Sequence, residues 1–326
     1  MKPRVYVTSR LPPDVVTRLE HETVPAWNKE SRPATRAELL AGLDGCIGLL
    51  CNINDRVDDE LLNSTSASAL KVIANFGVGY NHIDVTAASH RKIAVTNTPG
   101  VLTDATADMA FALLLAAARR LGEGERVVRA GSWTGWEPLQ MLGADVSGAT
   151  LGIVGFGRIG RAVAQRAQAF GMKIVYWNRT RLDPRQESET GAIHAPFETL
   201  LSQSDFISLH VAYGPATHHL IGKAQLGLMK PTDYLINTSR GAVIDEAALV
   251  SALANRKIAG AGLDVFEYEP KLTAGLAKLD NVVLAPHLGS ATLGTRTKMG
   301  MIAVDNLLAA WAGKLPPDCV NPEVFG

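Results

Sequence analysis

The sequence predicts an α/β protein of two doubly wound parallel-sheet domains with a cleft between them. Short β-rich runs alternate with longer helical patterns from one end of the chain to the other. This alternation is typical of parallel sheets that are covered by helices on both faces. The chain has 326 residues, 47% of them hydrophobic, and a chain of this length favours two domains over one.

The first hundred residues predict one small domain of this kind. Its strand candidates are Arg4–Thr8, Gly48–Cys51, Lys71–Ala74 and Ala94–Thr96, with helical segments at Asp14–Glu20 and Arg36–Gly42. Because strands and helices alternate here without a fixed-period repeat, we expect a single doubly wound unit.

A second alternation begins at Thr150, after a long apolar helix that starts at Thr103. A helix that is apolar nearly all round is expected to be buried between two bodies. The later strand candidates are Lys173–Trp177, Phe206–His210, Tyr234–Asn237, Gly262–Val265 and Val282–Leu284. The helical pattern Thr292–Trp311 can return the chain to the first unit. We therefore predict a discontinuous domain of residues 1–99 and 291–326 and a continuous domain of residues 100–290.

The composition limits which binding partners and which cellular compartment we expect for this protein. The chain has 32 basic and 32 acidic residues and a formal net charge of zero, which argues against binding to nucleic acid or anionic membranes. The amino terminus runs straight into a strand-like segment at Val5, without the apolar core of a signal peptide. Three cysteines lack metal-ligand or CxxC spacing, which suits a reducing compartment. We expect a cytoplasmic protein with a small-molecule substrate and no metal site.

A strand, a glycine-rich turn and a helix follow one another in the second domain. The apolar strand from Leu151 runs into Gly155-Phe-Gly157-Arg-Ile-Gly160 and then into the helical segment Arg161–Ala169. Gly155 permits the tight turn, Gly157 lets the backbone approach a pyrophosphate, and Gly160 allows the helix to pack closely on the strand. Glycine-rich turns also end ordinary strands, but this setting predicts a Rossmann domain that binds a dinucleotide.

The strand that follows ends in Asn178-Arg179-Thr180-Arg181, where an NAD-binding site has an acidic residue for the ribose hydroxyls. A 2′-phosphate would be repelled by a carboxylate but accepts charge-assisted hydrogen bonds from arginine. Arg179 is the first candidate, and Thr180 and Arg181 can add donors. The alternative is that both arginines lie on a solvated loop and bind no cofactor. The position directly after the strand favours NADP(H) as the cofactor, with NAD(H) as the second choice.

Three ionisable residues stand at or beyond predicted strand ends: Arg240, Glu269 and His287. In open α/β sheets ligands bind outside the carboxyl ends of the strands, so we expect these residues to converge. Histidine is a common proton donor, and a neighbouring carboxylate orients it. The planar fork of arginine can hold carboxylate and carbonyl oxygens together. Taken singly, each residue also fits an ordinary role, as a surface charge, a loop carboxylate or a core histidine.

Together these segments resemble the D-isomer-specific 2-hydroxyacid dehydrogenases, and most closely their glyoxylate/hydroxypyruvate reductase branch. The resemblance runs from Val5 to about Pro317. It rests on the glycine motif and on Asn-Thr-Ser-Arg240-Gly-Ala-Val-Ile-Asp, Gly-Leu-Asp264-Val-Phe-Glu-Tyr-Glu269-Pro and Pro286-His287-Leu-Gly-Ser-Ala-Thr. It implies that Arg240 binds substrate, that His287 donates the proton on reduction, and that Glu269 is its carboxylate partner. It also implies that Asp264 contacts the nicotinamide end of the cofactor.

The resemblance also implies two sets of binding residues. The loop at Asn75-Phe-Gly77-Val78-Gly79 looks like the family's substrate loop, in which backbone N–H groups receive the substrate carboxylate, since glycines expose such donors. A plain structural turn is the alternative. The expected substrate-binding residues are Val78, Gly79, Arg240, His287 and Ser290. The expected cofactor-binding residues are Gly155, Phe156, Gly157, Arg158, Ile159, Gly160, Asn178, Arg179, Thr180, Thr238, Asp264 and Gly289.

Two further segments indicate the branch and an oligomer. The stretches at 98–108 and 131–138 resemble glyoxylate reductases more than phosphoglycerate or formate dehydrogenases. In the family this arm reaches the other subunit of a dimer, and Trp133 and Trp136 would be awkward if left in water. We therefore expect a homodimer; the alternative is that both tryptophans cover the chain's own core.

The expected function is NADPH-dependent reduction of glyoxylate or hydroxypyruvate to glycolate or D-glycerate. One alternative is another D-2-hydroxyacid dehydrogenase, acting on phosphohydroxypyruvate or on a branched or aromatic 2-keto acid. Another is a nucleotide-sensing, corepressor-like binding protein, because a fold does not fix a function. The intact set of Arg240, Glu269 and His287 favours an enzyme over a binding protein.

Overall fold

Two all-parallel sheets organise the part of the chain that the computed structural model describes, residues 2–30 and 32–326. Unit 1 comprises the residues up to Leu102 together with Ala291–Gly326, and unit 2 comprises Thr103–Ser290. Met1 and Ser31, which fall in the first predicted domain, lie outside the described residues. The first boundary follows Leu102, directly before the helix that begins at Thr103.

The strands are short. They are β1 (Arg4–Val7), β2 (Val24–Trp27), β3 (Gly48–Cys51), β4 (Val72–Asn75), β5 (Ala94–Thr96), β6 (Thr150–Val154), β7 (Lys173–Trp177), β8 (Ile193–His194), β9 (Phe206–Leu209), β10 (Tyr234–Asn237), β11 (Gly260–Leu263) and β12 (Val282–Leu284). Six of the twelve, β3, β4, β5, β9, β10 and β11, are buried along their whole length, as expected of strands covered on both faces.

The helices connect these strands. They are α1 (Pro13–Glu22), α2 (Arg36–Leu43), α3 (Asp59–Leu62), α4 (Val85–His90), α5 (Thr103–Ala118), α6 (Leu121–Arg129), α7 (Arg158–Ala169), α8 (Pro184–Thr190), α9 (Phe197–Gln203), α10 (Lys223–Leu228), α11 (Glu246–Ala254) and α12 (Leu293–Trp311). No helix of the described residues is long and apolar enough to cross a membrane.

The strand orders confirm the prediction of two doubly wound parallel sheets. The sheet of unit 1 has the order β2-β1-β3-β4-β5, which is the flavodoxin-like order. The sheet of unit 2 has the order β12-β11-β10-β9-β6-β7-β8, which is the Rossmann order extended by a seventh strand. In unit 2 the order reverses between β6 and β9, and ligands of such sheets bind where this reversal occurs.

Each unit has its own apolar core. In unit 1, α12 packs on β4 and buries Ala303, Val304 and Leu307. In unit 2, α5 packs on α7 and on β11, and Gly262 in β11 permits the close approach: a Cβ there would lie 2.9 Å from Cβ of Leu113. A glycine inside a strand marks such an approach of another element.

Candidate functional site

His287 and Glu269 form a hydrogen-bonded pair in unit 2. Glu269 Oε2 lies 3.0 Å from His287 Nδ1, and Glu269 Oε1 accepts the N–H of Phe266 at 2.9 Å. Burial raises the pKa of Glu269, but the bonds from His287 and Phe266 and the charge of Arg240 outweigh it, so the net pKa is lowered. The pair is not sealed off, because 30% of the His287 side chain is exposed. With Nδ1 facing Glu269, Nε2 is the ring nitrogen left for a ligand.

Asp264 builds the turn that presents His287. One of its carboxylate oxygens accepts the N–H of Leu288 at 2.6 Å and the other accepts the N–H of Gly289 at 2.7 Å. The N–H of His287 donates to the carbonyl of Asp264 at 2.9 Å. His287 has φ 56°, a left-handed conformation that residues other than glycine seldom adopt. These bonds hold that conformation, and both oxygens of Asp264 are thereby engaged by the protein itself.

Arg240 follows the neighbouring strand β10 and precedes a short 3-10 turn at Gly241–Val243. Its Nη1 donates to the carbonyl of Ser239 at 2.8 Å. Burial lowers the pKa of Arg240, and the charge of Glu269 offsets this only in part. Because β10 and β11 are adjacent, the turns after them meet at one edge of the sheet. The structure thus brings Arg240, Glu269 and His287 together in unit 2.

Three residues that the sequence did not single out fix the segment that carries Glu269. A Cβ on Gly241 would lie 1.8 Å from the carbonyl carbon of Phe266, so only glycine lets the two turns touch. Glu246 Oε1 accepts the N–H of Glu267 at 3.0 Å, and Glu267 Oε2 accepts the N–H of Glu246 at 3.3 Å. Glu246 is buried, yet in the sequence it resembles any acidic residue in the first turn of a helix.

The glycine-rich turn has the geometry that its sequence predicts. Gly155 has φ 93°, and a Cβ there would lie 2.6 Å from the backbone of His210 at the end of β9. A Cβ on Gly160 would lie 2.3 Å from the carbonyl oxygen of Gly155, whereas Gly157 faces open space. The turn therefore leaves room for a ligand at Gly157. Helix α7 begins there, and the free N–H groups of its first turn point toward this space.

The side chains of this motif divide into packing and exposed positions. Phe156 is buried and stacks on Tyr176, with 4.7 Å between ring centroids. Its N–H donates to Asn178 Oδ1 at 2.6 Å, so the Asn178 amide ties the end of β7 to the turn. Arg158 is exposed at the first position of α7, and Ile159 is half-buried behind it.

The two arginines in the loop after β7 have different surroundings. Arg181 forms two 2.8 Å bonds to the carboxylate of Glu187, which also accepts the hydroxyl of Tyr176. The bond from Arg181, with that from Tyr176, lowers the pKa of Glu187 to about 2. Arg179 and Thr180 are exposed, and within the described residues Arg179 forms no ion pair. Arg181, which the sequence offered as an additional phosphate donor, is thus held by Glu187.

A buried hydroxyl without a partner is found at Thr238, two residues before Arg240. Among the described side chains, Thr238 Oγ1 is buried and makes no hydrogen bond. Such a group costs free energy unless a ligand or water satisfies it. Gly289 is also buried and its carbonyl accepts the Thr106 hydroxyl at 3.2 Å, while Ser290 is half-buried at the end of unit 2. The free hydroxyl and the open turn at Gly157 both fit a bound dinucleotide.

The predicted substrate loop lies in unit 1. The carbonyl of Val78 accepts Asn97 Nδ2 at 2.8 Å, and the carbonyls of Gly77 and Gly79 both accept Asn75 Nδ2 at 3.1 Å. Within the residues that the structure describes, the N–H groups of Val78 and Gly79 donate no hydrogen bond. Two adjacent backbone donors are therefore available to an anion.

Comparison with known proteins identifies the family. Residues 111–289 match the family model of the D-isomer specific 2-hydroxyacid dehydrogenase, NAD binding domain. A glyoxylate reductase from Thermococcus litoralis is 52% identical over 100% of this chain and 98% of that protein. The chain belongs to the D-isomer-specific 2-hydroxyacid dehydrogenases. Another relative of this dehydrogenase, a glyoxylate reductase from Korarchaeum cryptofilum, is 49% identical over 99% of this chain and 97% of that protein.

Solved structures agree with this assignment. An NADPH-dependent glyoxylate/hydroxypyruvate reductase from Sinorhizobium meliloti, solved with NADP and malonate, superposes with a TM-score of 0.88 and 35% identity. The match covers 99% of this chain and 98% of that one. The resemblance stated from the sequence is thereby confirmed. This dehydrogenase is an NAD(P)-dependent oxidoreductase, and its cofactor is a nicotinamide dinucleotide.

Proposed function

We propose that this dehydrogenase reduces glyoxylate and hydroxypyruvate to glycolate and D-glycerate, with NADPH as the preferred cofactor, in the cytoplasm. The pairing of His287 Nδ1 with Glu269 Oε2 at 3.0 Å carries the proposal, because it supplies an oriented proton donor. The names of the glyoxylate reductases at 52% and 49% identity support the substrate. The NADPH-dependent enzyme from Sinorhizobium meliloti supports the cofactor.

The protein's part in the reaction follows from three side chains. A reduced nicotinamide, when bound, supplies the hydride. His287 donates a proton from Nε2 to the substrate carbonyl oxygen, and Glu269 keeps the imidazole oriented and stabilises its charged form. Arg240 holds carboxylate and carbonyl oxygens with its guanidinium and stabilises the negative charge that develops on the carbonyl oxygen.

The binding residues are proposed on separate grounds. Gly155 to Gly160 would hold the pyrophosphate at the start of α7, and Thr238 and Gly289 would line the cofactor site in unit 2. Asp264 would contribute to this cofactor site by holding the turn at His287 and Gly289. The backbone N–H groups of Val78 and Gly79 are proposed as carboxylate donors because they are unpaired among the described residues; Ser290 is proposed from the resemblance alone.

Initial rates on the purified protein test the function. Glyoxylate and hydroxypyruvate are each supplied with NADPH and with NADH, and cofactor oxidation is followed. We expect turnover of both acids, with higher kcat/KM for NADPH. If the protein reduces only phosphohydroxypyruvate or branched or aromatic 2-keto acids, the proposed substrate is wrong. If it binds NADPH but reduces no 2-keto acid, the proposal that it is a 2-keto acid reductase is wrong.

We expect Arg179→Glu to reverse the cofactor preference. The substitution removes a cation from the 2′-phosphate and places a carboxylate where NAD-dependent enzymes carry one. A charge-assisted bond of this type contributes about 1.5–3 kcal/mol, so kcat/KM for NADPH should fall about 10- to 100-fold. The kcat/KM for NADH should stay level or rise.

Arg181→Gln is the matched control in the same loop. Because Arg181 is held by Glu187, its loss should change the NADPH to NADH ratio far less than the loss of Arg179. Equal effects of the two substitutions, or no effect of Arg179→Glu, would remove Arg179 as the residue that determines cofactor choice.

We also propose that the chain forms a homodimer through the arm at residues 121–142. Helix α6 buries none of its side chains, and Trp136 and Leu139 are 79% and 80% exposed. Four more large apolar side chains in this arm are exposed: Leu121, Val128, Trp133 and Leu142. An exposed apolar patch of this kind indicates a protein interface, and the tryptophans do not cover the chain's own core.

Sedimentation velocity tests the dimer. The mass derived for the wild-type protein should be twice the 34.7 kDa of one chain. The double variant Trp136→Glu/Leu139→Glu should sediment as a monomer. Leu315→Glu, at an exposed leucine outside the arm, should leave the dimer intact. A monomeric wild type, or a double variant that stays dimeric, would contradict the proposal.

A further inference from the structure

The loop at residues 77–79 has all three of its carbonyl groups held by the protein. Gly77 O accepts the N–H of Thr98 at 3.0 Å as well as Asn75 Nδ2 at 3.1 Å. Val78 O accepts Asn97 Nδ2 at 2.8 Å, and Gly79 O accepts Asn75 Nδ2 at 3.1 Å. Two asparagine amides therefore fix the orientation of three consecutive peptide groups.

This pattern decides where the N–H groups point. A trans peptide is planar, so its carbonyl and the N–H of the next residue point in opposite directions. Because the carbonyl of Gly77 points toward Asn75 and Thr98, the N–H of Val78 points away from them. In the same way, Asn97 turns the N–H of Gly79 away from itself. Without these amides the peptide at 78–79, next to a glycine, would be free to rotate.

Asn97 is itself held on both sides. Its carbonyl accepts Asn306 Nδ2 at 3.2 Å, and its N–H donates to the carbonyl of Asp318 at 3.3 Å. Asn306 is buried in α12, and Asn75 is buried at the end of β4. Buried amides cost free energy to desolvate unless they form hydrogen bonds, and here their N–H groups donate to the loop and to Asn97.

We infer that Asn75 and Asn97 are positioning residues that set the affinity for the substrate carboxylate by aiming the N–H groups of Val78 and Gly79. The inference rests on the proposed function, in which that loop receives the carboxylate. The two asparagines do not touch the substrate; they act through the peptide groups between them. Loss of either amide should therefore weaken binding of carboxylates while leaving the proton donor and the cofactor site of unit 2 unchanged.

The experiment compares wild type, Asn97→Ala and Asn75→Ala. A hydrogen bond to a charged group contributes about 1.5–3 kcal/mol, so KM for glyoxylate should rise about 10- to 100-fold in Asn97→Ala. The kcat and the dissociation constant of NADPH, measured by fluorescence titration, should stay close to the wild-type values. Asn281→Ala is the control, because Asn281 Nδ2 also donates to two backbone carbonyls, those of Leu253 and Ala259, and its loss should not change KM.

Oxalate binding, measured by calorimetry on the NADPH complex, provides a readout that does not require turnover. Affinity for oxalate should fall in Asn97→Ala and Asn75→Ala by the same factor as KM rises, and not in Asn281→Ala. Equal oxalate affinity in wild type and Asn97→Ala, no oxalate binding to wild type, or a parallel fall in kcat and NADPH affinity would overturn the inference. A wild type that binds oxalate but reduces no 2-keto acid would overturn the proposed function instead.

Discussion

His287→Gln is expected to lower kcat/KM for glyoxylate about 10²- to 10⁴-fold, the usual contribution of a positioned general acid. Glutamine fills similar space and can donate its amide to Glu269, so the pair keeps its shape. It cannot give up a proton to the carbonyl oxygen. The loss should therefore appear in kcat, while the dissociation constant of NADPH and the thermal midpoint stay near the wild-type values.

The chain offers a close control for this substitution. His219 also has a positive φ, 50°, and its Nε2 lies 2.8 Å from Glu267 Oε1. His219→Gln thus removes an imidazole from a similar backbone and a similar carboxylate partner. It should change kcat/KM far less than His287→Gln. If the two variants lose activity equally, or if His287→Gln retains most of the wild-type rate, His287 is not the proton donor.

The proposed roles of His287 and Glu269 require Glu269 to be ionised. Because the hydrogen bond from His287 and the charge of Arg240 outweigh burial and lower the pKa of Glu269, its carboxylate keeps its charge to lower pH than an ordinary glutamate does. Protonation of Glu269 therefore does not limit activity near neutral pH. In the proposed function, the ionised carboxylate can therefore orient His287 at neutral pH.

The fold was predictable where burial imposes a simple pattern. Strands β3 and β5 lie where the sequence places them, since both are fully buried and consist mostly of apolar residues. The edge strands β2 and β8 were not predicted. Pro25 interrupts β2, as is tolerated at an edge, and β8 has only two residues. Helix α6 was also missed, because Gly122 and Gly124 weaken its helical pattern.

The candidate site divides along similar lines. Arg240, Glu269 and His287 could be proposed from sequence because strand ends converge at one edge of a parallel sheet. Glu246, Asn75 and Asn97 could not, because their importance lies in which backbone groups their side chains contact. Glu246 and Asn97 contact separate segments of the chain, and Asn75 contacts its own loop in a way that depends on how the loop folds. The sequence also did not predict that the carboxylate of Asp264 holds the turn of His287.

Arg240→Lys is expected to lower kcat/KM for glyoxylate about 10²- to 10³-fold, although it keeps the positive charge. Lysine lacks the planar fork, so it cannot hold a carboxylate oxygen and the carbonyl oxygen at once. We expect KM to rise and kcat to fall, because in the proposed function the guanidinium binds the substrate and also stabilises the charge that develops during reduction. This split differs from that of His287→Gln, whose effect lies in kcat.

The fold should tolerate removal of the Arg240 charge. Burial lowers the pKa of Arg240 and Glu269 compensates only in part, so the folded state disfavours the charge relative to the unfolded chain. Removing it in Arg240→Met should therefore leave the thermal midpoint level or slightly higher while activity is lost. Arg256→Lys, at an exposed arginine of unit 2, is the control and should change neither. Full activity in Arg240→Lys, or a clearly lower thermal midpoint in Arg240→Met, would contradict the proposed role of Arg240.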